Sequence, residues 1–342
     1  MTRPVLSVLD PSPIFKGRTA GDALNETRAL AQAVDAMSYR SYWVQEHHNA
    51  ASFAGTTPEV LMADLAARTS RITLGSGGIM LPNYSPLKVA EWASTLSTLY
   101  PNRIELGLGR ATGADPRTSA ALLGPGGQAF PQMLRLLMDW MLDSSGEVPL
   151  PDDHRARGIA ANPPAKRAGL WMLCSSPESA SFAGAMGLKL AFADFLNPGG
   201  AKAALDAYHD AFEPSPFASE PYCGIGLVVL AAETDAEADR LAAPIKTWAL
   251  TRGTGSFTPY LSTEDAEAYL ANAPLEPPQR GIIGSGVTVA QRLSETAADA
   301  GADELFLLSI TDSADTRIQS YRLIEQEMAK LSAASAAPSA AE

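Results

Sequence analysis

The sequence has little cysteine and no long uninterrupted apolar run. Its two cysteines, Cys174 and Cys223, lie far apart without the short spacing of metal ligands, and both fall in apolar, strand-like runs where a thiol usually packs. We therefore expect neither a disulfide nor a zinc site. No stretch approaches the roughly 18 apolar residues of a membrane-spanning helix, and Pro4 leads directly into a strand-like run rather than a signal peptide. The sequence predicts a cytoplasmic protein without a membrane partner.

Positive charge and histidine are also scarce. The chain has 26 Lys and Arg against 38 Asp and Glu, a formal net charge of -12, whereas nucleic-acid affinity depends on clustered Lys and Arg. A nucleic-acid partner is therefore not expected. Of the four histidines, His154 and His209 lie in polar or helical stretches, and His48 is expected to point away from whatever His47 faces. This leaves His47 as the candidate acid or base.

Short apolar or β-branched runs alternate with longer runs of helical period along most of the chain. The eight candidate strands are 5–10, 41–45, 72–78, 104–109, 170–174, 190–193, 224–231 and 305–309. The alternation predicts parallel strands with crossover helices. We predict an α/β fold, a closed (β/α)8 TIM barrel with insertions, as a single domain over residues 1–330. A doubly wound open sheet is the main alternative, but no Gly-x-Gly-x-x-Gly turn follows the first strand.

Three stretches are too long and too rich in Gly, Pro and small polar residues to be simple connections: 111–128, 147–167 and 252–283. The last of these, with Trp248 and Phe257 nearby, is a candidate lid over an active site; a plain surface excursion is the alternative. Residues 331–342, nearly all Ala, Ser and Pro, are expected to form a disordered tail.

Polar residues follow several of the predicted strands at the points where these strands end. The second strand runs into Glu46 and His47, the fourth ends in two glycines and Arg110, and the fifth ends before Ser175 and Ser176. Reactive groups of a barrel come from the C-terminal ends of several strands. The sequence therefore places a candidate site at this end of the barrel.

The chemistry of these strand ends suggests a phosphate and a flat ring. A guanidinium fork, serine hydroxyls and the free N–H groups of a helix that begins near Ser176 would bind a doubly charged phosphate. The glycines of the third strand remove side chains where a ring could lie against backbone. Together they predict a mononucleotide cofactor.

Each feature also has a purely structural explanation. Glycines relieve crowding in a narrow barrel, Arg110 would pair with a carboxylate such as Asp115, and serines before Pro-Glu cap helices. The acid and imidazoles after the second strand would form a hydrogen-bonded strand end without a reactive role. Their shared position at predicted strand ends favours a site.

The residues named so far are part of a wider similarity. From Leu6 to about Glu325 the chain resembles the bacterial luciferase-like, flavin-dependent monooxygenases, most closely the single-subunit alkanal monooxygenase-like branch. The similarity is carried by residues 6–10 (LSVLD), 42–49 (YWVQEHHN), 75–86 (GSGGIMLPNYSP), 101–110 (PNRIELGLGR) and 301–305 (GADEL).

The resemblance implies roles around a flavin ring for four residues. His47 matches the family histidine that lies beside the flavin and assists the oxygenation step, and Glu46 looks like an orienting neighbour of this catalytic group. Gly77 and Gly78 fall where related proteins have a non-proline cis peptide behind the ring.

A second group matches the phosphate-binding positions of the family: Arg110, Ser175, Ser176 and Ser179. Ser179 lies one helical turn after Ser176 and can face the same anion. Gly109 stands where luciferase itself carries a reactive cysteine, so light emission by this chain is not expected.

The resemblance further implies FMN as cofactor, reduced by a separate flavin reductase, and O2 as co-substrate for the oxygenation of an aldehyde, ketone or activated carbon. It also implies a homodimer. Two alternatives remain: hydride transfer with the deazaflavin F420, and a non-catalytic flavin-holding or partner subunit. F420 would need a cationic groove for its acidic tail, which the scarcity of Lys and Arg does not favour. Retention of both His47 and Arg110 argues against a non-catalytic subunit.

Overall fold

The computed structural model describes residues 4–123, 129–251, 258–278 and 280–336, and these residues form nine strands. The strands are β1 Val5–Asp10, β2 Ser41–Val44, β3 Thr73–Met80, β4 Ile104–Gly109, β5 Gly169–Cys174, β6 Lys189–Ala193, β7 Cys223–Ala232, β8 Ile282–Ser285 and β9 Glu304–Leu308.

Helices follow the strands along the chain. They are α1 Ala20–Asp35, α2 Pro58–Ala66, α3 Pro86–Leu99, α4 Pro116–Leu123, α5 Phe130–Ser145, α6 Pro177–Ala185, α7 Ala201–Ala211, α8 Asp235–Leu241, α9 Ala243–Thr251, α10 Thr263–Leu270, α11 Gly286–Ala300 and α12 Ala314–Ala336. A short 3₁₀ turn, Leu81–Asn83, lies between β3 and α3. In the described part of the chain, no helix is both long enough and apolar enough to cross a bilayer.

Eight of the strands close into a parallel barrel. Each of β1 to β6 pairs with the next strand along the chain. The barrel closes because β7 pairs with β9 and β9 pairs with β1, and all these pairs are parallel. The remaining strand, β8, pairs with the last four residues of β7. The predicted TIM barrel is confirmed, with every predicted barrel strand within two residues of its observed bounds.

Several elements differ from the sequence-based expectation. The strand β8 and the helices α4 and α10 lie in stretches that we expected to be irregular. The helical period of 236–250 predicts one helix, but the structure has two, because Pro244 in the first turn of α9 lacks the N–H that a continuation of α8 would need. The helix α12 reaches Ala336 and so includes the first six residues of the tail that we expected to be disordered; the rest of that tail, 337–342, lies outside the described residues.

Large aromatic side chains fill the inside of the barrel. The ring centroid of Trp43 lies 4.4 Å from that of Phe306 and 5.3 Å from that of Trp171. All three side chains are buried. Aliphatic side chains such as Leu106, Leu137 and many others form a second core between the strands and the surrounding helices. The aromatic plug makes the barrel a packed core rather than a pore.

A compensated group of charges closes the N-terminal end of the barrel. Arg40, just before β2, donates to the Glu105 carboxylate at 2.9 Å and to the Glu304 carboxylate at 2.8 Å. Tyr222 donates to Glu304 at 3.0 Å, and Ser7 donates to the same carboxylate. Burial raises the pKa of Glu304 and Arg40 opposes this shift, so the guanidinium is what offsets the burial of this carboxylate.

Candidate active site

A cavity of about 310 Å³ opens at the C-terminal end of the barrel. It lies where the loops after β1, β2, β4, β6 and β9 meet α9. Its lining is mostly apolar, with a few polar groups. The lining residues are Pro11, Gln45, His47, His48, Asn49, Ala50, Phe53, Gly113, Ala114, Asp115, Phe195, Leu196, Val228, Ile245, Trp248, Ala249, Tyr260, Arg280, Leu308 and Ile310.

His47 is held in this cavity against an aromatic wall. Its backbone N–H donates to the Gly55 carbonyl at 2.9 Å, and its ring stacks on Phe53 with centroids 4.4 Å apart. The Phe53 ring contacts Trp248 and Tyr260 at centroid distances of 6.2 and 6.0 Å. The imidazole is therefore half-buried against a largely aromatic wall.

Glu46 lies behind His47 and does not line the cavity. Its carboxylate is buried and accepts hydrogen bonds from the Met80 N–H at 2.9 Å and from Asn83 Nδ2 at 2.9 Å. Burial and the neighbouring Glu46 raise the pKa of Tyr84, which therefore keeps its proton near this carboxylate. These contacts join the segment after β2 to the 3₁₀ turn after β3. The carboxylate therefore fixes the segment that carries His47 relative to this turn.

The expectation that His48 points away from the surface faced by His47 is wrong. Both imidazoles line the same cavity, and His48 Nε2 lies 2.7 Å from the Glu46 carboxylate. Regular strand structure stops at Val44, so the alternation of sides that applies within a strand does not extend to residues 47 and 48.

The residues that match a phosphate site lie together at the ends of β4 and β5. These strands pair with Leu108 opposite Met172, and continuing this register places Arg110 beside Cys174. Burial raises the pKa of the Cys174 thiol to about 12, while Ser179 and Arg110 oppose the shift, which is consistent with this proximity. Cys223 behaves similarly, because burial raises its thiol pKa to about 12.

The serines lie at and just before the start of α6. Ser176 caps the helix, since its hydroxyl accepts from the Ser179 N–H at 3.4 Å, and the two hydroxyl oxygens lie 3.2 Å apart. The exposed Ser175 immediately precedes them, and its carbonyl accepts from Asn197 Nδ2 at 3.1 Å. Hydroxyls and helix N–H groups thus gather next to the end of β4, which carries Arg110.

Arg110 does not pair with Asp115, the alternative that the sequence left open. The Asp115 carboxylate accepts from Asn49 at 2.8 Å and from Thr118 at 2.6 Å, and these hydrogen bonds hold its pKa well below its usual range. Arg110 is exposed and forms no ion pair with any residue that the structure describes. Its guanidinium is available to an anion.

The glycines of β3 serve mainly to relieve crowding. A Cβ on Gly75 would lie 2.2 Å from Trp43 Nε1, and one on Gly77 would lie 2.5 Å from Leu9 Cδ1. The peptide between Gly77 and Gly78 is cis, as the family pattern implies. Gly77 also borders a small second cavity of about 40 Å³ in the barrel interior. The structural explanation thus holds for Gly75, while Gly77 combines tight packing with a position beside open space.

A Cβ on Gly109 would lie 2.6 Å from Met80 Sδ, in the flexible part of that side chain, so a larger residue here would require the methionine to shift.

His47 and Arg110 open at the same end of the barrel, because they follow β2 and β4, which run parallel on either side of β3. The sequence-based interpretation missed Arg280 and Phe195, which line the cavity but lie in loops without a motif. Trp248, placed near the candidate lid, lines the cavity from α9, whereas Phe257 and the rest of 252–257 lie outside the described residues.

Comparisons with known proteins agree with this geometry. The family model described as luciferase-like monooxygenase matches residues 6–304. The luciferase-like monooxygenase of Escherichia coli (strain K12) is 34% identical over 328 residues, covering 93% of this chain and 95% of its own. The N-acetyl-S-alkylcysteine monooxygenase of Bacillus subtilis (strain 168) is 35% identical over 331 residues, covering 93% and 96%.

Solved structures show the same fold. Apo-MsnO8 superposes with a TM-score of 0.86 at 34% identity, covering 96% of this chain and 98% of that one. The FMN complex of the oxygenating constituent of 3,6-diketocamphane monooxygenase from Pseudomonas putida has a TM-score of 0.71 at 21% identity, covering 96% and 98%. An F420-dependent secondary alcohol dehydrogenase has a TM-score of 0.65 at 14% identity, covering 96% and 99%. The last two likenesses concern the fold alone. From the match over most of its length and the two relatives above 30% identity, we conclude that this chain is an enzyme of the luciferase-like monooxygenase family.

Proposed function

We propose that this enzyme is an FMN-dependent monooxygenase that uses reduced FMN, supplied by a separate flavin reductase, and O2 to oxidise a small organic substrate. The observation that supports it most is that Arg110, with no ion pair among the described residues, lies beside the serines of α6 at the same end of the barrel as the cavity that holds His47.

The donors at the ends of β4 and β5 suit the phosphate of FMN. Arg110 offers a planar fork, the hydroxyls of Ser175, Ser176 and Ser179 donate, and the first turn of α6 adds backbone N–H groups and the positive end of a helix dipole. Gly77 borders a small cavity in the adjoining part of the barrel, and the flavin ring would lie against the cis peptide between Gly77 and Gly78. Arg110 and the three serines therefore form the phosphate half of the proposed site.

When bound, FMN would supply the redox chemistry with O2. The protein's residues would do the rest. Phe53, Trp248 and Tyr260 would exclude water, and His47 would hold or transfer a proton at its imidazole next to the reacting atoms. Glu46 would keep the His47 segment in register with the turn after β3.

The candidate substrates are an aldehyde, a ketone or an activated carbon. The name of the Bacillus subtilis relative, N-acetyl-S-alkylcysteine monooxygenase, adds a compound that carries a thioether as a further candidate for this chain. We also propose a homodimer, for which the exposed Val60 of α2 and Leu99 of α3 offer apolar surface; light scattering in solution tests it.

Use of F420 is the second candidate, since the fold is shared with an F420-dependent dehydrogenase. FMN is favoured because the chain carries 26 basic against 38 acidic side chains, a poor basis for binding an acidic tail. A non-catalytic subunit is disfavoured because the imidazole and the free guanidinium are both at the open end.

Two measurements test the proposal. Fluorescence titration with FMN, FAD and F420 should show tightest binding of FMN, and oxygen uptake with photoreduced FMN should depend on the enzyme. His47→Ala should keep FMN affinity and lose about 100-fold or more of substrate oxygenation, the range of general acid–base catalysis. His154→Ala, at a histidine that pairs with Asp139 and does not line the cavity, serves as the control. Tightest binding of F420, or full oxygenation by His47→Ala, would reject the assignment.

A further inference from the structure

Arg280 is a second guanidinium in the candidate active site, and it has no assigned role. It is half-buried, lines the cavity and donates from Nη1 to the Phe195 carbonyl at 3.2 Å. Like Arg110, it forms no ion pair with any residue in the described ranges. The contact with Phe195 fixes one end of the guanidinium and leaves Nη2 and Nε to other partners.

The barrel topology places this guanidinium across the mouth from His47. Phe195 follows β6 and His47 follows β2, and these two strands are four steps apart in both directions around the eight-stranded barrel. His47 and Arg280 nevertheless line one continuous cavity. A ligand that fills this cavity would therefore meet an imidazole at one side and a cation at the other.

The surface between these two groups is largely apolar. It includes Val228, Ile245 and Ile310 as well as the aromatic wall. The carboxylate of Asp115 also borders the cavity, but it is engaged by Asn49 and Thr118. Arg280 is thus a cation at the edge of an apolar chamber, where its attraction for an anion is less screened than in water.

We propose that Arg280 binds a carboxylate of the substrate, so that the enzyme acts on amphipathic acids with an apolar arm that reaches toward His47. A planar carboxylate matches the fork of a guanidinium, which can bind it through two parallel hydrogen bonds. The assignment of the reacting end to His47 rests on the proposed function, whereas the recognition of the acid by Arg280 does not.

The phosphate of the cofactor is the other source of an anion for Arg280. The loop after β6 that carries Phe195 also contacts the α6 serines, through Asn197 Nδ2 and the Ser175 carbonyl at 3.1 Å. If Arg280 binds the substrate, its replacement weakens the binding of acids. If it binds the phosphate, its replacement weakens the binding of FMN. An experiment therefore needs one arm for acids and one for FMN.

The test compares acids with their neutral amides by isothermal titration calorimetry. The probes are N-acetyl-S-butylcysteine and octanoate, each paired with its carboxamide, measured on the enzyme with FMN bound. At least one acid should bind wild type about 10- to 100-fold more tightly than its amide, the range of a hydrogen-bonded charge. Arg280→Gln should remove this preference, Arg280→Lys should keep part of it, and Arg292→Gln, at an exposed residue of α11, should keep all of it.

The FMN arm compares FMN with riboflavin on the same variants, and FMN affinity should stay within about twofold in Arg280→Gln, as expected for a residue without phosphate contact. The inference is overturned if neither acid is preferred over its amide by wild type, if Arg280→Gln retains the preference, or if Arg280→Gln weakens FMN but not riboflavin. Because binding is measured without turnover, loss of the acid preference in Arg280→Gln would support the inference even if the oxygenase proposal failed.

Discussion

The arginines at the two ends of this barrel are engaged differently. At the N-terminal end Arg40 bridges Glu105 and Glu304, so these three charges are paired within the protein. At the C-terminal end Arg317 pairs with Asp10, whereas Arg110 and Arg280 form no ion pair with a described residue, and Arg280 lines the cavity.

The difference separates stability from binding. A compensated, buried cluster fixes the strands to which it belongs, and it offers nothing to a ligand. A guanidinium that solvent reaches and that forms no ion pair within the protein can bind an anion. In TIM barrels the same division holds generally, with chemistry at the C-terminal face. The following predictions test whether it holds here.

The largest effect is expected from Arg40→Met, which leaves two carboxylates facing each other without a cation. The free energy of unfolding should fall by about 3–5 kcal/mol, measured by urea denaturation, while the affinity of the folded protein for FMN stays unchanged. Arg68→Met, which breaks an exposed pair with Asp64, should cost less than about 1 kcal/mol. Equal losses in the two variants would remove the distinction between the ends.

If Arg40→Met does not fold, the triple variant R40M/E105Q/E304Q should recover a folded protein. It removes the uncompensated carboxylates together with the guanidinium. Failure of this variant to regain stability would contradict the electrostatic explanation.

The next largest effect is expected at the C-terminal end of the barrel, on the binding of FMN. Arg110→Met should weaken FMN binding by about 10- to 100-fold, the range of a hydrogen bond to a charged group, with riboflavin affinity and urea stability unchanged. Fluorescence titration measures both ligands. Arg117→Met, at an exposed residue of α4, is the matched control. A stability loss like that of Arg40→Met would show that Arg110 is structural.

Gly75→Ala tests the tight middle of the barrel, between the two ends. Its new Cβ would meet the Trp43 ring, where a distance of 2.2 Å must be relieved, so we expect a loss of about 1–3 kcal/mol of stability. Gly21→Ala, whose Cβ would lie 3.5 Å from Thr19 Oγ1, should cause no loss. The double variant G75A/W43F should lose less than the sum of its parts; strict additivity would rule out the clash.

The smallest effect is expected on the pH dependence of stability, through Asp115 at the cavity. Hydrogen bonds from Asn49 and Thr118 lower the pKa of Asp115 below the ordinary value of 3.8 for an aspartate, so the native carboxyl holds its proton less tightly than the unfolded one. This contribution to stability is present above pH 3.8 and is lost as the pH falls. Urea midpoints from pH 6 to about pH 3 should therefore fall less steeply in Asp115→Asn than in wild type. Parallel curves would contradict the role given to this carboxylate.

Much of the fold could be predicted because strands buried on both faces appear as short apolar runs, and those of β1 and β4 were predicted at their observed bounds. The strand β8 was not predicted, because its four residues lie in a stretch rich in Gly and Pro. The helical period continues across Pro244, so it predicts one helix where the structure has α8 and α9. Of the site, residues in family motifs were found, whereas Arg280 and Phe195 belong to no motif.

The sequence by itself determined the alternation of strands and helices, and with it the end of the barrel at which Glu46, His47, Arg110 and the serines gather, because parallel strands must all end on one side. Only the tertiary structure decided which neighbours these groups meet. Trp43 explains Gly75, His48 turns to the cavity once β2 has ended, and Arg280 reaches Phe195 from 85 residues away. Strand order depends on local hydrophobic patterns, whereas side-chain contacts depend on the space left by residues distant in the chain.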